Sequence, residues 1–388
     1  MSGKDLRYDA ACIEVLEGVE AVRKRPGMYV GSTAERGLHQ MVFEVVGRAV
    51  NAVLATGGGR VDVTLTPDGG VLVADDGPGV PFEGDADADG PGLEALLTGF
   101  PAGPGPAGRH VADVGYFHVG LMVANALSSR LTAEVRCEGV RRAQEHARGV
   151  ALTPPVAVGS TTTTGTTIAF WPDTEIFETT RCSFAVLAER LRQVAFLSRG
   201  LEISLADRRP DGGARKVRFC FPDGVRDFVA ALHAETGGAV AADVVAFERE
   251  DPRMAGTMEV ALVWQGSGED RVRGFANSRP TFEGGAHLDG FRDGLATAVT
   301  AYGRARGLLT AVAADVGADG IWDGVTAVVS VKLDHPEFLG ATRTLLGGTE
   351  VRACVREAVR DHVGTWLDAH PEDAARIVDR INRSADRD

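Results

Sequence analysis

Glu44, Arg48 and Asn51 fall four and three residues apart in a run whose apolar positions, Leu38, Met41, Val42, Val45, Val46, Ala49, Val50 and Val53, follow a helical period. That spacing puts a carboxylate, a guanidinium and a carboxamide on one helix face. Glu44 could act there as a general base, or Glu44 and Arg48 could form an ion pair on a solvated face. Asp75 ends a short apolar run and opens the turn Asp75-Asp76-Gly77-Pro78-Gly79-Val80-Pro81. A carboxylate at a strand end can accept a hydrogen bond from a ligand amino group, and the glycines let a planar ligand approach the backbone. The same residues also suit an ordinary turn. In Gly115-Tyr116-Phe117-His118-Val119-Gly120, two glycines before a helix could offer N–H groups to an anion, although the bulky residues between them leave little room for phosphates. Thr164-Gly165-Thr166 brings hydroxyls to a strand start, where β-propensity is the competing explanation. Thr342-Arg343 sets a cation in a loop before Gly347-Gly348, a place where arginine is often plain surface. By themselves these features describe a ligand-binding α/β protein.

The elements that must position them follow from periodicity and turn signals. Helices are predicted from Ile13 toward Arg25-Pro26-Gly27, over Leu38–Leu54, Val119–Leu127 and Phe184–Leu197, and later over Leu288–Gly303, Glu350–His370 and Pro371–Asn382. Strands are predicted at Val61–Leu65 and Val71–Ala74, joined by Pro67-Asp68-Gly69-Gly70, then at Leu131–Arg148, Thr161–Trp171, Leu201–Leu205, Lys216–Phe221, Thr257–Trp264, Arg271–Ala276 and Gly324–Lys332. The long Gly/Pro/Asp-rich stretch from Phe82 to Gly115 has the length of a functional lid. A boundary near Pro210-Asp211-Gly212-Gly213 divides the chain into residues 1–214 and 215–388.

Composition narrows the function. The 388 residues are 44% hydrophobic and 24% charged, enough for two or three globular cores. Acidic residues outnumber basic ones 54 to 41, so the formal charge of −13 disfavours direct DNA binding, which needs cations against phosphates. Cys12, Cys137, Cys182, Cys220 and Cys354 are scattered without a CxxC pair, which reads as reduced, buried thiols rather than a zinc site. With no signal-peptide core and no apolar run long enough for a membrane span, a cytoplasmic protein is expected.

Several segments together resemble the B subunit of DNA gyrase and its topoisomerase IV counterpart. They are Ile13 through Gly31, Gly37 through Val46, Asp75 through Pro81, Asn125-Ala126-Leu127-Ser128, Gly165 through Pro172, Gly284 through Arg292 and Thr326 through Lys332. The resemblance implies a two-layer α/β sandwich of the gyrase/Hsp90/histidine-kinase/MutL ATPase type, followed by an α/β transducer domain. It implies ATP as ligand, a lid that closes on it, and a homodimer formed through exchanged N-terminal arms, with Tyr8 and Ile13 on the arm. Glu44 matches the family's catalytic base, Asp75 the aspartate that takes the adenine amino group, Thr166 the threonine beside it, and Gly79, Val80 and Pro81 the adenine-pocket wall. Gly115, Tyr116 and Gly120 fall in the lid's phosphate clamp, Asn51 one turn beyond the metal position, and Thr342 and Arg343 in the transducer loop that reaches the γ-phosphate. The family's drug-binding arginine falls at Cys137 or Arg136. The sequence stops near where a complete gyrase B chain would begin its DNA-cleavage domain, so no stand-alone topoisomerase is expected.

The departures concern metal and phosphate. The family's Asp-Asn, whose Asn holds Mg²⁺, reads Gly47-Arg48, and a guanidinium has no acceptor atom with which to bind a cation. Mg²⁺ is therefore not expected in the usual site, and Arg48 is expected to pair with Glu44. The glycine-rich clamp becomes Val114-Gly115-Tyr116-Phe117-His118-Val119-Gly120, and the Gln-Thr-Lys loop becomes Ala341-Thr342-Arg343. The leading expectation is a nucleotide-binding protein with weak or absent ATP hydrolysis. Two alternatives stand beside it. One is a pocket repurposed for another small molecule, in biosynthesis or antibiotic sequestration, with Glu44, Arg48, Asp75, Asp113, Tyr116 and His118 converging as an acid/base set. The other is an interaction module that pairs with gyrase subunits.

Overall fold

The computed structural model describes residues 16–82, 92–100, 108–115, 119–210, 213–235, 244–264, 270–309, 319–322, 324–340 and 342–385. Its first half packs helices on one face of a nine-stranded sheet with the order β5-β4-β3-β7-β2-β1-β8-β9, β6 also pairing with β4. These strands are β1 (Gly59–Leu65), β2 (Val71–Asp75), β3 (Ser128–Cys137), β4 (Val140–Ala147), β5 (Val150–Ala151), β6 (Val156–Ser160), β7 (Gly165–Pro172), β8 (Leu201–Asp207) and β9 (Lys216–Phe219). The helices are α1 (Gly18–Lys24), α2 (Gly27–Val30), α3 (Glu35–Leu54), α4 (Leu93–Thr98), α5 (Gly120–Ala126) and α6 (Phe184–Phe196).

Helix α3 is buried on most of its circumference, because it lies against β1 and β2 below and α5 beside it. In β1 the residues Val61, Val63 and Leu65 are buried in alternation, and in β2 Val71, Val73 and Asp75. The same two-residue period that buries the valines thus turns the Asp75 carboxylate toward the helical layer at the strand's end. Helix α6 starts at Ser183, whose Oγ accepts the Val186 N–H.

The second half holds a five-stranded sheet, β10-β11-β14-β12-β13, formed by β10 (Val245–Asp251), β11 (Gly256–Trp264), β12 (Arg271–Ala276), β13 (Arg279–Pro280) and β14 (Val325–Leu333). Strands β12 and β14 are parallel, so the chain between them must cross over, and α8 (Ala286–Ala305) lies in that crossover. Helix α8 packs closely on Thr349–Ala369: a Cβ on Gly290 or Gly294 would stand 2.4 or 2.5 Å from the carbonyls of Arg352 and Arg356. The other face is covered by α7 (Val225–Ala234), whose Phe228, Val229 and Leu232 join Phe196 and Leu197 of α6 over Ala261, Val263, Phe275 and Val328. That cluster is shared by the two halves.

Several features differ from the sequence reading, among them the start of the expected Thr161–Trp171 strand, which begins at Gly165. Strand β9 pairs with β8, so the first sheet runs past residue 214 and the expected division falls within the hairpin joining them. Strand β10 and helix α7 were not expected at all. Among the described cysteines, Cys137, Cys182 and Cys354 are buried, but Cys220 is exposed. Burial pushes the Cys182 thiol up to about 12. No helix among the described residues is long and apolar enough to cross a membrane.

His287 is fully buried in the second core, with its Nε2 3.1 Å from Thr281 Oγ1 and Gly274 left without a side chain beneath it. Burial lowers its pKa from 6.5 to about 3. The unfolded chain then binds the proton more tightly, and stability is lost as pH falls from the unfolded value toward the folded one. Between pH 7 and 5 this amounts to about 2 kcal/mol. In urea titrations at the two pH values, His287→Gln should lose about 2 kcal/mol less than the parent chain. Equal losses would show that His287 does not set the acid limb.

Candidate functional site

The site is built where α3 crosses the end of β2. Gln40, Glu44 and Arg48 succeed one another at four-residue intervals on α3, with Asn51 just beyond. Gln40 Nε2 donates to Glu44 Oε1 at 2.6 Å, and the Gly120 N–H reaches Glu44 Oε2 at 3.4 Å. Gly115 lies directly on this carboxylate, since a Cβ there would sit 2.3 Å from Glu44 Oε1. The lid backbone and the helix carboxylate therefore meet. Gln40 was missed; its signal was its position one turn before Glu44.

Arg48 does not hold Glu44. Its Nη1 crosses the cleft and donates to Asp75 Oδ2 at 3.1 Å. Glu44 already accepts from Gln40 and Gly120, whereas buried Asp75 has its backbone donors on Oδ1 alone, so the longer reach is the better-compensated one. Asp75 Oδ1 accepts two backbone N–H groups, from Gly77 and Thr166, both at 3.1 Å. Burial pushes the Asp75 carboxyl up, with Arg48 and the two N–H groups pulling against it, and burial likewise lowers the Arg48 guanidinium.

Around Asp75 the backbone comes close. Gly79 has φ +78 and faces the Arg136 carbonyl, and Gly165 has φ +135 and faces the Asp75 carbonyl at a spacing no side chain could occupy. Val80 is half-buried against the core and Pro81 is exposed. Thr166 is buried, and its Oγ1 has no protein partner, an orphaned hydroxyl beside the carboxylate. Of the two candidates on β3, Arg136 is the one that reaches the site, donating to the Asp75 carbonyl at 3.1 Å and to Thr167 Oγ1 at 3.2 Å. Cys137 alternates into the core.

Asn51 is committed to the lid's base: it exchanges hydrogen bonds with the backbone of Ala112, at 3.1 and 2.8 Å. Asp113, expected at the cleft, instead turns to the second half and pairs with Arg279 at 3.3 Å, while its N–H donates to the Asn277 carbonyl. Buried Arg190 donates to the carbonyls of Asp113, Val114 and Ser278, and Arg109 pairs with Asp334 and Glu250. Thr342 and Arg343 sit exposed at the tip of the hairpin formed by β15 (Phe338–Leu339) and β16 (Leu345–Leu346), with Arg343 at φ 53. Tyr8, Tyr116 and His118 lie outside the described residues.

At positions 47 and 48 the side chains do not suit Mg²⁺, since glycine and arginine offer it no oxygen. The floor offers groups that can address a planar base: an acceptor carboxylate and an unsatisfied hydroxyl.

The chain as a whole has counterparts among known proteins. The histidine kinase-, DNA gyrase B- and HSP90-like ATPase family model matches residues 33–176, and the DNA gyrase B model matches residues 224–388. The chain is 42% identical to the DNA gyrase B protein of Streptomyces coelicolor over 96% of its own length. It is 40% identical to the novobiocin-resistant DNA gyrase B protein of Streptomyces niveus over 97%. The ATPase domain of Thermus thermophilus gyrase B, solved with an aminocoumarin, superposes with a TM-score of 0.80 at 30% identity, covering 95% of both chains. The chain belongs to the gyrase B ATPase family. It spans 56% and 58% of the two Streptomyces proteins, and the gyrase B likeness takes in the ATPase sandwich and the transducer alike.

Removing Arg190 from this gyrase B-like junction leaves three buried carbonyls without their donor. Arg190→Met should cost about 3 kcal/mol in urea unfolding and speed hydrogen exchange at the Asp113 amide. Unchanged exchange at Asp113 would show that Arg190 does not hold the lid's base.

Proposed function

We propose that this chain is a gyrase B-like nucleotide-binding module whose metal and phosphate contacts have been exchanged, so that it binds ATP without Mg²⁺ in the family's position and hydrolyses it weakly or not at all. The observation that carries this reading is Arg48: a cation stands where an oxygen ligand would be needed, while Asp75 and the orphaned Thr166 hydroxyl keep the base-binding floor. In this reading Asp75 and Thr166 take the base against the wall of Gly79, Val80 and Pro81. Arg48, the lid glycines Gly115 and Gly120, and Arg343 supply positive charge or N–H groups to the phosphates. Tyr8 and the N-terminal arm would complete a homodimer, and gyrase subunits are the partners the family suggests.

Glu44 retains its place for orienting an attacking water. Loss of metal charge stabilisation at the transferred phosphoryl group is worth several kcal/mol, or about two to three decades in rate. Antibiotic sequestration through Asp75 is less well supported, because Arg48 already occupies the outer oxygen of that carboxylate.

Titration calorimetry with a non-hydrolysable ATP analogue should give the same affinity, within about threefold, in Mg²⁺ and in EDTA. ATP turnover should lie at least about a hundredfold below a gyrase B ATPase domain measured alongside. Binding that needs Mg²⁺, or turnover at the gyrase level abolished by Glu44→Gln, would overturn the reading.

A further inference from the structure

The floor of the cleft carries a conflict. Of the four acceptor positions on Asp75, two on Oδ1 are filled by the N–H groups of Gly77 and Thr166, and one on Oδ2 is taken by the Arg48 guanidinium. An amino group arriving at Oδ2 must therefore enter beside a buried, charged donor or displace it. A neutral ligand that displaced Arg48 would leave a guanidinium desolvated and without its counter-charge, which costs more than one hydrogen bond from an amino group returns. A polyphosphate changes that balance, because its oxygens accept bidentate hydrogen bonds from a guanidinium. Arg48 is placed to use it. It stands one turn beyond Glu44, on the helix face that the lid backbone of Gly115 and Gly120 covers, and keeps 16% of its side chain exposed on a long, flexible stem.

We propose that Arg48 is a phosphate-released latch on Asp75, making the pocket selective for phosphorylated ligands and closed to ligands that offer only an amino-bearing base. The inference rests on the nucleotide-binding reading and adds an order to it: phosphates draw Arg48 off the carboxylate, and Oδ2 then takes the base's amino group. Phosphate site and base site are thereby coupled, each favouring occupation of the other. Arg48 is a specificity-determining residue here, and its removal has opposite effects on the two ligand classes. A merely structural arginine would shift both the same way.

The test is calorimetry on the full chain in EDTA with adenosine, ADP and a non-hydrolysable ATP analogue, for the parent protein and Arg48→Gln. Affinity should climb at least about a hundredfold from adenosine to the ATP analogue in the parent. Arg48→Gln should bind adenosine about tenfold more tightly and the ATP analogue about tenfold more weakly. The unmodified protein offers an independent measurement: saturating inorganic tripolyphosphate should tighten adenosine binding about tenfold, because the anion holds Arg48 away from Asp75. Adenosine binding that ignores tripolyphosphate, or an Arg48→Gln variant that shifts both ligands in one direction, overturns the latch while leaving nucleotide binding intact. No heat from any nucleotide with either protein overturns the nucleotide reading and the latch together.

Discussion

The ion pair between Arg48 and Asp75 ties α3 to the end of β2 and so joins the two layers of the first domain. Elsewhere α3 and the sheet are held by valine and leucine contacts, but at the end of β2 the alternation that buries Val71 and Val73 delivers a carboxylate into the same apolar environment. A buried carboxylate needs compensation, and two backbone N–H groups satisfy only its inner oxygen. Where a ligand's donor could complete the set, this chain supplies its own from α3. The Asp75 carboxylate is consequently compensated from within, while the Thr166 hydroxyl beside it is left without a partner.

The base of the lid is fixed with equal thoroughness, and from the other domain. Asn277, in the left-handed region at φ 49, donates through its side chain to the carbonyls of Gly108 and Leu333 and accepts the Leu333 N–H. Arg109, Arg190 and Arg279 add charged contacts across the same junction, and Asn51 holds Ala112 from α3. The segment from Gly108 to Gly115 therefore runs between the second domain and Glu44 with few free degrees of freedom. A displacement of the lid backbone at Glu44 must either break these bonds or carry the second domain's strand end with it.

What the sequence made legible was whatever local periodicity controls. Helix α3, strands β1 and β2, Asp75 at a strand end and Thr166 opening β7 all follow from spacing within a few residues. Helix α7 carried a readable pattern too, Val225, Phe228, Val229 and Leu232, directly after the Pro222-Asp223-Gly224 turn, yet no element was assigned there. Strand β10 alternates with charged residues, and two of them, Glu248 and Glu250, serve as partners for Arg199 and Arg109 of the first domain. Its composition answers to the domain junction rather than to a core. The partner of Arg48 was not legible, because four-residue spacing favours Glu44 and only the burial of Asp75, 27 residues on, decides otherwise. The same holds for Asp113 and Arg279, 166 residues apart, whose pairing no local pattern announces.

Gln40 sharpens the question of what Glu44 can still do. A general base that takes a proton from water must pass it on or release it, and a neighbouring imidazole can share that task, whereas a carboxamide has no titratable proton. Gln40 donates to Oε1 and the lid's Gly120 N–H approaches Oε2, so both oxygens are held as acceptors and the carboxylate is oriented. Orientation alone suffices to position a water molecule; it does not supply the charge stabilisation that phosphoryl transfer demands. With Arg48 drawn to Asp75 rather than to Glu44, the two residues four apart on α3 meet different elements: Glu44 the lid backbone and Arg48 the end of β2. On the proposed reading, such a site would suit binding a phosphorylated ligand more than consuming it.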